Sequence, residues 1–316
     1  MKLVLGTMTF GQQVDAKQAF EMIDYFKKQG YQEIDTAYVY NEGKSERILG
    51  EYFDKSSTRG VVIATKVNPR ITGRLDYDAV MSQFSVSMQR MKIEKADILY
   101  LHFPDPNTPI ESALRACNEL HQQGKIRELG LSNYSAEMLH EIDTICEKNG
   151  WIRPTIYEGV YNALSRNAEK ELFAELRRKN VRFYAYNPLA GGMLSGKYKN
   201  FTDIPMEGRF ACRPNYQNRY WKQTYFDAVE IIRRICEKNG IGMVEGAFRW
   251  LAYHSCLNER AGDGVILGVS KMEQLMQNIE VMKKGPLPEE VITGFEQAWE
   301  ICKQDAPEYY RNYTVK

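Results

Sequence analysis

The sequence predicts an α/β fold, a closed (β/α)8 barrel, and three observations carry that prediction. Short β-rich apolar runs ending in a polar residue or glycine alternate with longer stretches of helical spacing. There are eight of each, the number that closes a parallel sheet on itself in the TIM-barrel architecture. The first run leads into Gly6-Thr7-Met8-Thr9-Phe10-Gly11, which does not fit the G-x-G-x-x-G that a doubly wound dinucleotide-binding sheet shows at this point.

The strand runs are 3–6, 33–36, 61–66, 97–102, 127–132, 155–160, 181–187 and 265–268. Helical patterns fall near 15–29, 44–54, 76–91, 110–123, 135–148, 168–179, 225–238 and 271–283. Asp15 suits the N-cap of the first helix and Gly30 its stop. Lys148-Asn149-Gly150 and Lys238-Asn239-Gly240 are helix-end signals of the same kind. Eight such units take about 250 residues. The chain has 316, and the surplus falls in a long loop after strand 7, near 190–224, and in an extra C-terminal helix near 288–304 with a tail to Lys316. No low-complexity linker divides the chain, so 1–316 reads as a single barrel domain.

Composition narrows the function. Lys plus Arg number 42 against 41 for Asp plus Glu, a net charge of +1 that lacks the basic excess of a nucleic-acid binder. With 43% hydrophobic and 26% charged residues the chain is of globular type. No stretch approaches the roughly 18 apolar residues of a membrane span, and no signal-peptide pattern opens the chain. Cys117, Cys146, Cys212, Cys236, Cys256 and Cys302 contain no C-x-x-C pair, which argues against a zinc or iron–sulfur cage. Cys212 reads as a plain loop cysteine. The expectation is a cytoplasmic protein with reduced cysteines and no metal.

In a barrel the C-terminal strand ends carry the active site. Those ends hold Asp35, Lys66, His102, Ser132, Asn133, Glu158, Tyr186 and Asn187, with Tyr40 five residues beyond Asp35. Singly, each has an ordinary explanation: a helix cap, a solvated lysine, a structural histidine, one of 20 tyrosines. Together on one rim they do not, because burying Asp, Lys and His is costly unless they pair. The set suits proton donation by a phenol. Lys66 would lower the Tyr40 pKa, Asp35 would hold Lys66 charged, and His102 would hydrogen-bond a carbonyl oxygen. Such a site needs a hydride from elsewhere, hence a nicotinamide cofactor.

Ile34-Asp35-Thr36-Ala37 with Tyr40, Thr65-Lys66 and Tyr100-Leu101-His102 resemble the tetrad of the aldo-keto reductases. Gly130-Leu131-Ser132-Asn133 and Tyr186-Asn187-Pro188-Leu189-Ala190-Gly191-Gly192 add to the match, which runs from about Leu5 to Arg311. His102-Phe103-Pro104-Asp105, Tyr157-Glu158-Gly159-Val160-Tyr161-Asn162, Arg219-Tyr220-Trp221-Lys222 and Ile266-Leu267-Gly268-Val269-Ser270 look like the aflatoxin aldehyde reductase branch.

The resemblance implies NADPH-dependent reduction of a small-molecule aldehyde, carboxylated or dicarbonyl, in a detoxifying enzyme that could be a homodimer. Tyr40 is then the proton donor, Asp35 and Lys66 its partners, and His102 the substrate-orienting residue. Ser132 and Asn133 would hold the nicotinamide carboxamide, and Glu158 stands where the branch usually has Gln. Met8 and Asp35 also fall in the cofactor set. The stretch Asn187 to Lys197, with Leu189, Gly191 and Gly192, would wrap the pyrophosphate, and Arg209 would contact the cofactor. Gly268, Ser270, Lys271, Gln274 and Asn278 would bind the adenosine 2′-phosphate, Lys271 replacing a usual Ser. Gln12 and Gln13 stand where arginines are usual. Tyr216, Arg219 and Arg311 would face a carboxylated substrate. Two other readings use the same barrel: a Schiff-base aldolase employing Lys66, and a redox-sensing non-catalytic subunit of the kind that accompanies ion channels, whose long N-terminal extension this chain does not show.

Overall fold

A computed structural model describes residues 1–56, 60–206 and 208–311, the side chain of Cys212 excepted. The tail beyond Arg311 lies outside the described residues. Eight strands form one closed sheet: β1 (Lys2–Gly6), β2 (Glu33–Asp35), β3 (Val62–Val67), β4 (Ile98–Leu101), β5 (Glu128–Ser132), β6 (Pro154–Val160), β7 (Arg182–Tyr186) and β8 (Gly264–Gly268). Every pairing is parallel, each strand lies beside its successor, and β8 returns to β1. The register brings the chemistry to one rim: Gly6 lies opposite both Asp35 and Gly268, Lys66 opposite Tyr100, and Ser132 opposite Glu158.

Val4, Ala64, Ile98, Tyr100, Ile156, Tyr184 and Ile266 fill the barrel below that rim. The polar rim therefore rests on a largely apolar filling. Gly130 is required by this filling, since a Cβ there would meet the Tyr100 ring at 2.3 Å.

The outer layer opens with α1 (Ala16–Lys28), whose N-cap Asp15 and Gln18 form a reciprocal capping box. It continues through α2 (Lys44–Lys55), α3 (Tyr77–Met91), α4 (Ile110–Gln122), α5 (Ala136–Asn149) and α6 (Leu172–Arg178). Gly150 ends α5 in the left-handed conformation at φ 64°. The long loop is partly helical, with α7 (Arg209–Cys212) and α8 (Pro214–Tyr220). Then come α9 (Gln223–Lys238), α10 (Met243–Tyr253), α11 (Met272–Val281) and α12 (Glu289–Cys302).

The sequence pattern misassigns the seventh helix. The stretch near 225–238 is a helix, but α9 packs chiefly against the C-terminal α12. The helix that neighbours α11 in the layer is α10, which the pattern did not reveal. Gly246, Ala247, Phe248, Trp250 and Leu251 are buried, and the only charged residues are Glu245 and Arg249, paired one turn apart at 2.7 Å, so the helix is apolar around most of its circumference. Gly246 lets α9 and α12 close in, because a Cβ there would meet Cys236 Sγ at 3.0 Å and the Phe295 ring at 3.2 Å. Among the described residues no helix is long and apolar enough to cross a membrane.

Candidate active site

The rim opens into a cleft of about 650 Å³ that runs from β4 and β5 across β6 and β7 to the start of α11. Its floor is a buried ion cluster. Lys66, on β3, donates to both carboxylate oxygens of Asp35 at 2.5 Å and to the Thr36 carbonyl at 2.8 Å. The Glu158 carboxylate approaches the same ammonium at 3.2 Å, an ion pair without hydrogen-bond alignment. Burial alone would lower the Lys66 ammonium, but Asp35 and then Glu158 hold it above its ordinary value. Burial likewise raises Asp35 against the pull of Lys66. Burial, reinforced by the Asp35 charge, pushes the Glu158 carboxyl up to about 8.

Tyr40 follows β2 at the start of an unusual turn. Asn41, Glu42 and Gly43 all have positive φ, at 50°, 58° and 80°. Asn41 stabilises this strained backbone by donating to the carbonyls of Met8 at 2.8 Å and Phe10 at 2.7 Å. The β2 turn is thereby tied to the β1 turn, and the Tyr40 ring projects over Lys66, whose Nζ lies 5.3 Å from the ring centre. The sequence expectation for the phenol needs correcting. Lys66 does pull the Tyr40 pKa down, but desolvation and the carboxylates of Asp35 and Glu158 outweigh it, so the phenol is held above its ordinary value.

His102 faces Tyr40 with ring centres 6.1 Å apart at 82°. Its tautomer is fixed by a residue the sequence reading missed. Asn68 Oδ1 accepts the Arg70 amide at 2.9 Å, so Asn68 Nδ2 must be the group 3.2 Å from His102 Nδ1. Nδ1 is then an acceptor and Nε2 carries the proton. Gln83 clamps the Asn68 backbone from both sides, at 2.8 and 3.1 Å. Burial and the charges of Lys66 and Arg70 keep His102 well below its ordinary pKa, hence neutral. The only signal in the sequence was that Asn68 stands two residues past Lys66 at a strand end.

Most of the expected residues line the cleft. Asp35, Tyr40, His102, Ser132, Asn133 and Glu158 form its deep end, with Met8 above them. Asn133, at φ 67°, gives its amide hydrogens to the His102 carbonyl and Ser132 Oγ, and its Oδ1 accepts from Tyr186. Asn187, Leu189, Gly191, Gly192, Lys197 and Arg209 line the middle. Gly191 and Gly192 adopt φ 70° and 112°, and a Cβ at Gly191 would meet the Tyr216 and Tyr220 rings at 3.0 Å. Gly268, Ser270, Gln274 and Asn278 line the far end. Lys66 lies beneath the floor, wholly buried. Lys271 is exposed at the N-cap of α11, outside the cleft lining.

Tyr216, Arg219 and Arg311 meet at the mouth. An aromatic cluster holds the loop that delivers Arg219: Trp221 packs on Phe210 and Phe226, each at 5.0 Å, and Trp221 Nε1 donates to the Phe201 carbonyl. The C-terminal segment is tied across the barrel by Asn167, Thr224 and the bond from the Arg311 amide to the Asn133 carbonyl at 2.9 Å. Arg219 is 8% exposed and its Nε has no partner. Among the described residues no carboxylate pairs with Arg219 or Arg311. Arg70, also unforeseen, lines the same mouth with its guanidinium 4.4 Å over Phe103. Arg213 donates to Gln12 at 3.0 Å, across the cleft from the first loop.

A parallel barrel whose rim joins a phenol, a neutral imidazole donor and a cleft of this extent defines a barrel oxidoreductase that works on a carbonyl. The chain belongs to the aldo/keto reductase family, whose profile matches residues 2–300. It is 43% identical to the mouse protein named aflatoxin B1 aldehyde reductase member 2, over 98% of this chain and 87% of that one. It is equally similar, at 43%, to human aflatoxin B1 aldehyde reductase member 4, over 97% of this chain and 96% of that one. It is 33% identical to oxidoreductase sirO of Leptosphaeria maculans, over 97% and 96% of the two chains.

Proposed function

We propose that the protein reduces aldehydes with NADPH, Tyr40 giving the proton and His102 orienting the carbonyl. The observation that supports this most directly is the facing pair of Tyr40 and His102 at the deep end of the cleft. The residues present also suit the cofactor. The Ser132 hydroxyl, which accepts from Asn133, is left to donate, and Asn133 Oδ1 accepts, the pattern a carboxamide needs. Gly191 and Gly192 let backbone approach a pyrophosphate. The N-terminus of α11 has no side-chain cap, leaving amides for an anion. When bound, NADPH supplies a hydride.

Everything else falls to the chain. His102 Nε2–H donates to the substrate oxygen and draws charge onto it. Tyr40, protonated at neutral pH, gives its proton to that oxygen as the alkoxide forms. Lys66 and Asp35 hold a fixed dipole under the phenol. The aldolase reading fits less well, because an imine requires a neutral exposed amine and Lys66 is charged and buried beneath two carboxylates. Following NADPH absorbance against a panel of aldehydes tests the proposal; no turnover with any of them would leave the non-catalytic reading.

Two predictions arise here. NADPH should exceed NADH in kcat/KM by roughly 10–150-fold, the worth of one hydrogen bond to a charged phosphate. Equal values would remove the 2′-phosphate assignment of Ser270, Gln274 and Asn278. Lys271→Ser should reduce the preference only if the exposed ammonium reaches that phosphate; an unchanged ratio would confine recognition to the other three. The second concerns Asn68. Asn68→Asp offers His102 Nδ1 an acceptor instead of a donor, which moves the imidazole proton away from Nε2. At pH 8, kcat/KM should fall by about 1 kcal/mol, roughly fivefold, the net worth of the lost hydrogen bond to the carbonyl. Activity should recover toward lower pH as the imidazolium forms and Nε2 regains its proton. Imidazole nitrogen shifts, traced among only four histidines, report the tautomer directly. Unchanged shifts would show that Asn68 only packs.

A further inference from the structure

The charge count around Glu158 does not balance. Asp35 from β2 and Glu158 from β6 face one ammonium, Lys66 from β3. The other groups about it are neutral. β4 contributes Tyr100, whose hydroxyl is buried without a partner. β5 contributes Ser132, directly beside Glu158 in register. β7 contributes Tyr184, which turns its hydroxyl to Glu33 at the opposite end of the barrel. The turn after β2 contributes Tyr40. Two ionised carboxylates would leave one uncompensated negative charge over the largely apolar filling of the barrel, and buried groups so placed neutralise instead.

The geometry says which carboxyl takes the proton. Asp35 receives two Lys66 contacts at 2.5 Å, whereas Glu158 has one unaligned contact with that ammonium at 3.2 Å and otherwise faces the Asp35 carboxyl, to which a protonated Glu158 donates. Both carboxyls line the cleft, and Glu158 is the one beside Ser132 in register.

We propose that Glu158 holds a proton which it loses when a positively charged nicotinamide ring occupies the cleft, so that the oxidised cofactor selects its ionised form and the reduced cofactor its neutral form. The idea rests on the NADPH reading above. Its sign is fixed by electrostatics: a cation a few ångströms away lowers the pKa of a carboxyl, and a neutral dihydropyridine does not. NADP⁺ binding therefore releases a proton at pH values below the Glu158 pKa of the free protein. Its affinity rises with pH and levels off once Glu158 is ionised. Formation of the oxidised ring during turnover would be matched by loss of that proton to solvent in the cleft, which offsets the build-up of positive charge, and Glu158 would take a proton back from solvent when the oxidised cofactor leaves.

The test is the ratio of NADP⁺ to NADPH dissociation constants between pH 6.5 and 9.5, read from tryptophan quenching. Using the ratio cancels titration of the 2′-phosphate, which the two cofactors share. In the unaltered protein it should fall about tenfold as pH rises, the effect of an opposite charge at this range. In Glu158→Gln it should stay flat, at the value the unaltered protein shows at the acid end. Calorimetry in buffers of different ionisation enthalpy should find proton release with NADP⁺ near pH 7.5, and none with NADPH or in the variant. Should Glu158→Gln fail to fold, Glu158→Met serves the same purpose. A ratio independent of pH in the unaltered protein overturns the proposal. So does an equal slope in the variant, which would assign the proton to Asp35 or another group. If neither phosphorylated cofactor binds while NADH does, the NADPH reading fails and the proposal with it.

Discussion

Tyr40→Phe should lower the turnover of any aldehyde substrate by roughly 10²–10⁴-fold, the usual worth of a positioned general acid. The substitution removes one hydroxyl and keeps the ring that packs above Lys66, where the ammonium lies 5.3 Å from its centre. Cofactor dissociation constants should therefore change by less than twofold, and KM should move far less than kcat, since the lost interaction forms only in the transition state. The pH profile gives a second check. The phenol lies above its ordinary value because desolvation and the carboxylates of Asp35 and Glu158 outweigh Lys66. Proton donation is accordingly present throughout the neutral range and is lost only as pH climbs through that raised pKa. Reduction should show no alkaline limb near neutrality that belongs to Tyr40. A variant that retains near-normal kcat would transfer the donor role to the neighbouring Glu158 or His102.

The parts of this site that a sequence can reveal are those written at strand ends. β-rich runs terminate in Asp35, Lys66, His102 and Ser132 because the barrel turns every strand end to one face, so a one-dimensional pattern already implies a shared rim. What escaped was set through space. Asn68 reads as a loop residue until the β3 and β4 registers bring its amide to His102. Asn41 acts by crossing to the β1 turn, 33 positions earlier for its Met8 contact. Glu158 reads as a departure at a nicotinamide contact, and only the parallel register around the barrel shows that it shares Lys66 with Asp35. The confusion of α9 with the seventh barrel helix has a related cause. α9 has the clear amphipathic period of a helix lying on the outside, while α10 is apolar around most of its circumference.

Arg219→Ala should discriminate between aldehydes by charge. It should lose roughly 10–150-fold in kcat/KM on succinic semialdehyde and keep most of its activity on 4-nitrobenzaldehyde. The reason is an arginine pair beside which, among the described residues, no carboxylate stands. Arg219 is buried against the Tyr216 and Tyr220 rings, each 5.6 Å from its guanidinium carbon, with Nε unpartnered. Burial, and then repulsion from Arg219, holds Arg311 below its ordinary pKa. Against burial, the surrounding tyrosines Tyr220, Tyr186 and Tyr216 hold Arg219 above its ordinary value, so it is the Arg311 cation that is destabilised until an anion arrives, and a carboxylate suits the planar guanidinium fork. The Tyr216 hydroxyl is engaged with Asn187 at 3.2 Å, so it contributes mainly an aromatic wall. Arg219→Lys separates charge from geometry: a lysine there keeps the attraction but not the two-pronged contact, and should recover only part of the loss. Raised salt should change little, because a pair this buried is weakly screened. If both aldehydes decline together, Arg219 acts by ordering the loop around Trp221, and the carboxylate preference belongs to Arg70 and Arg311 or to no residue of the mouth.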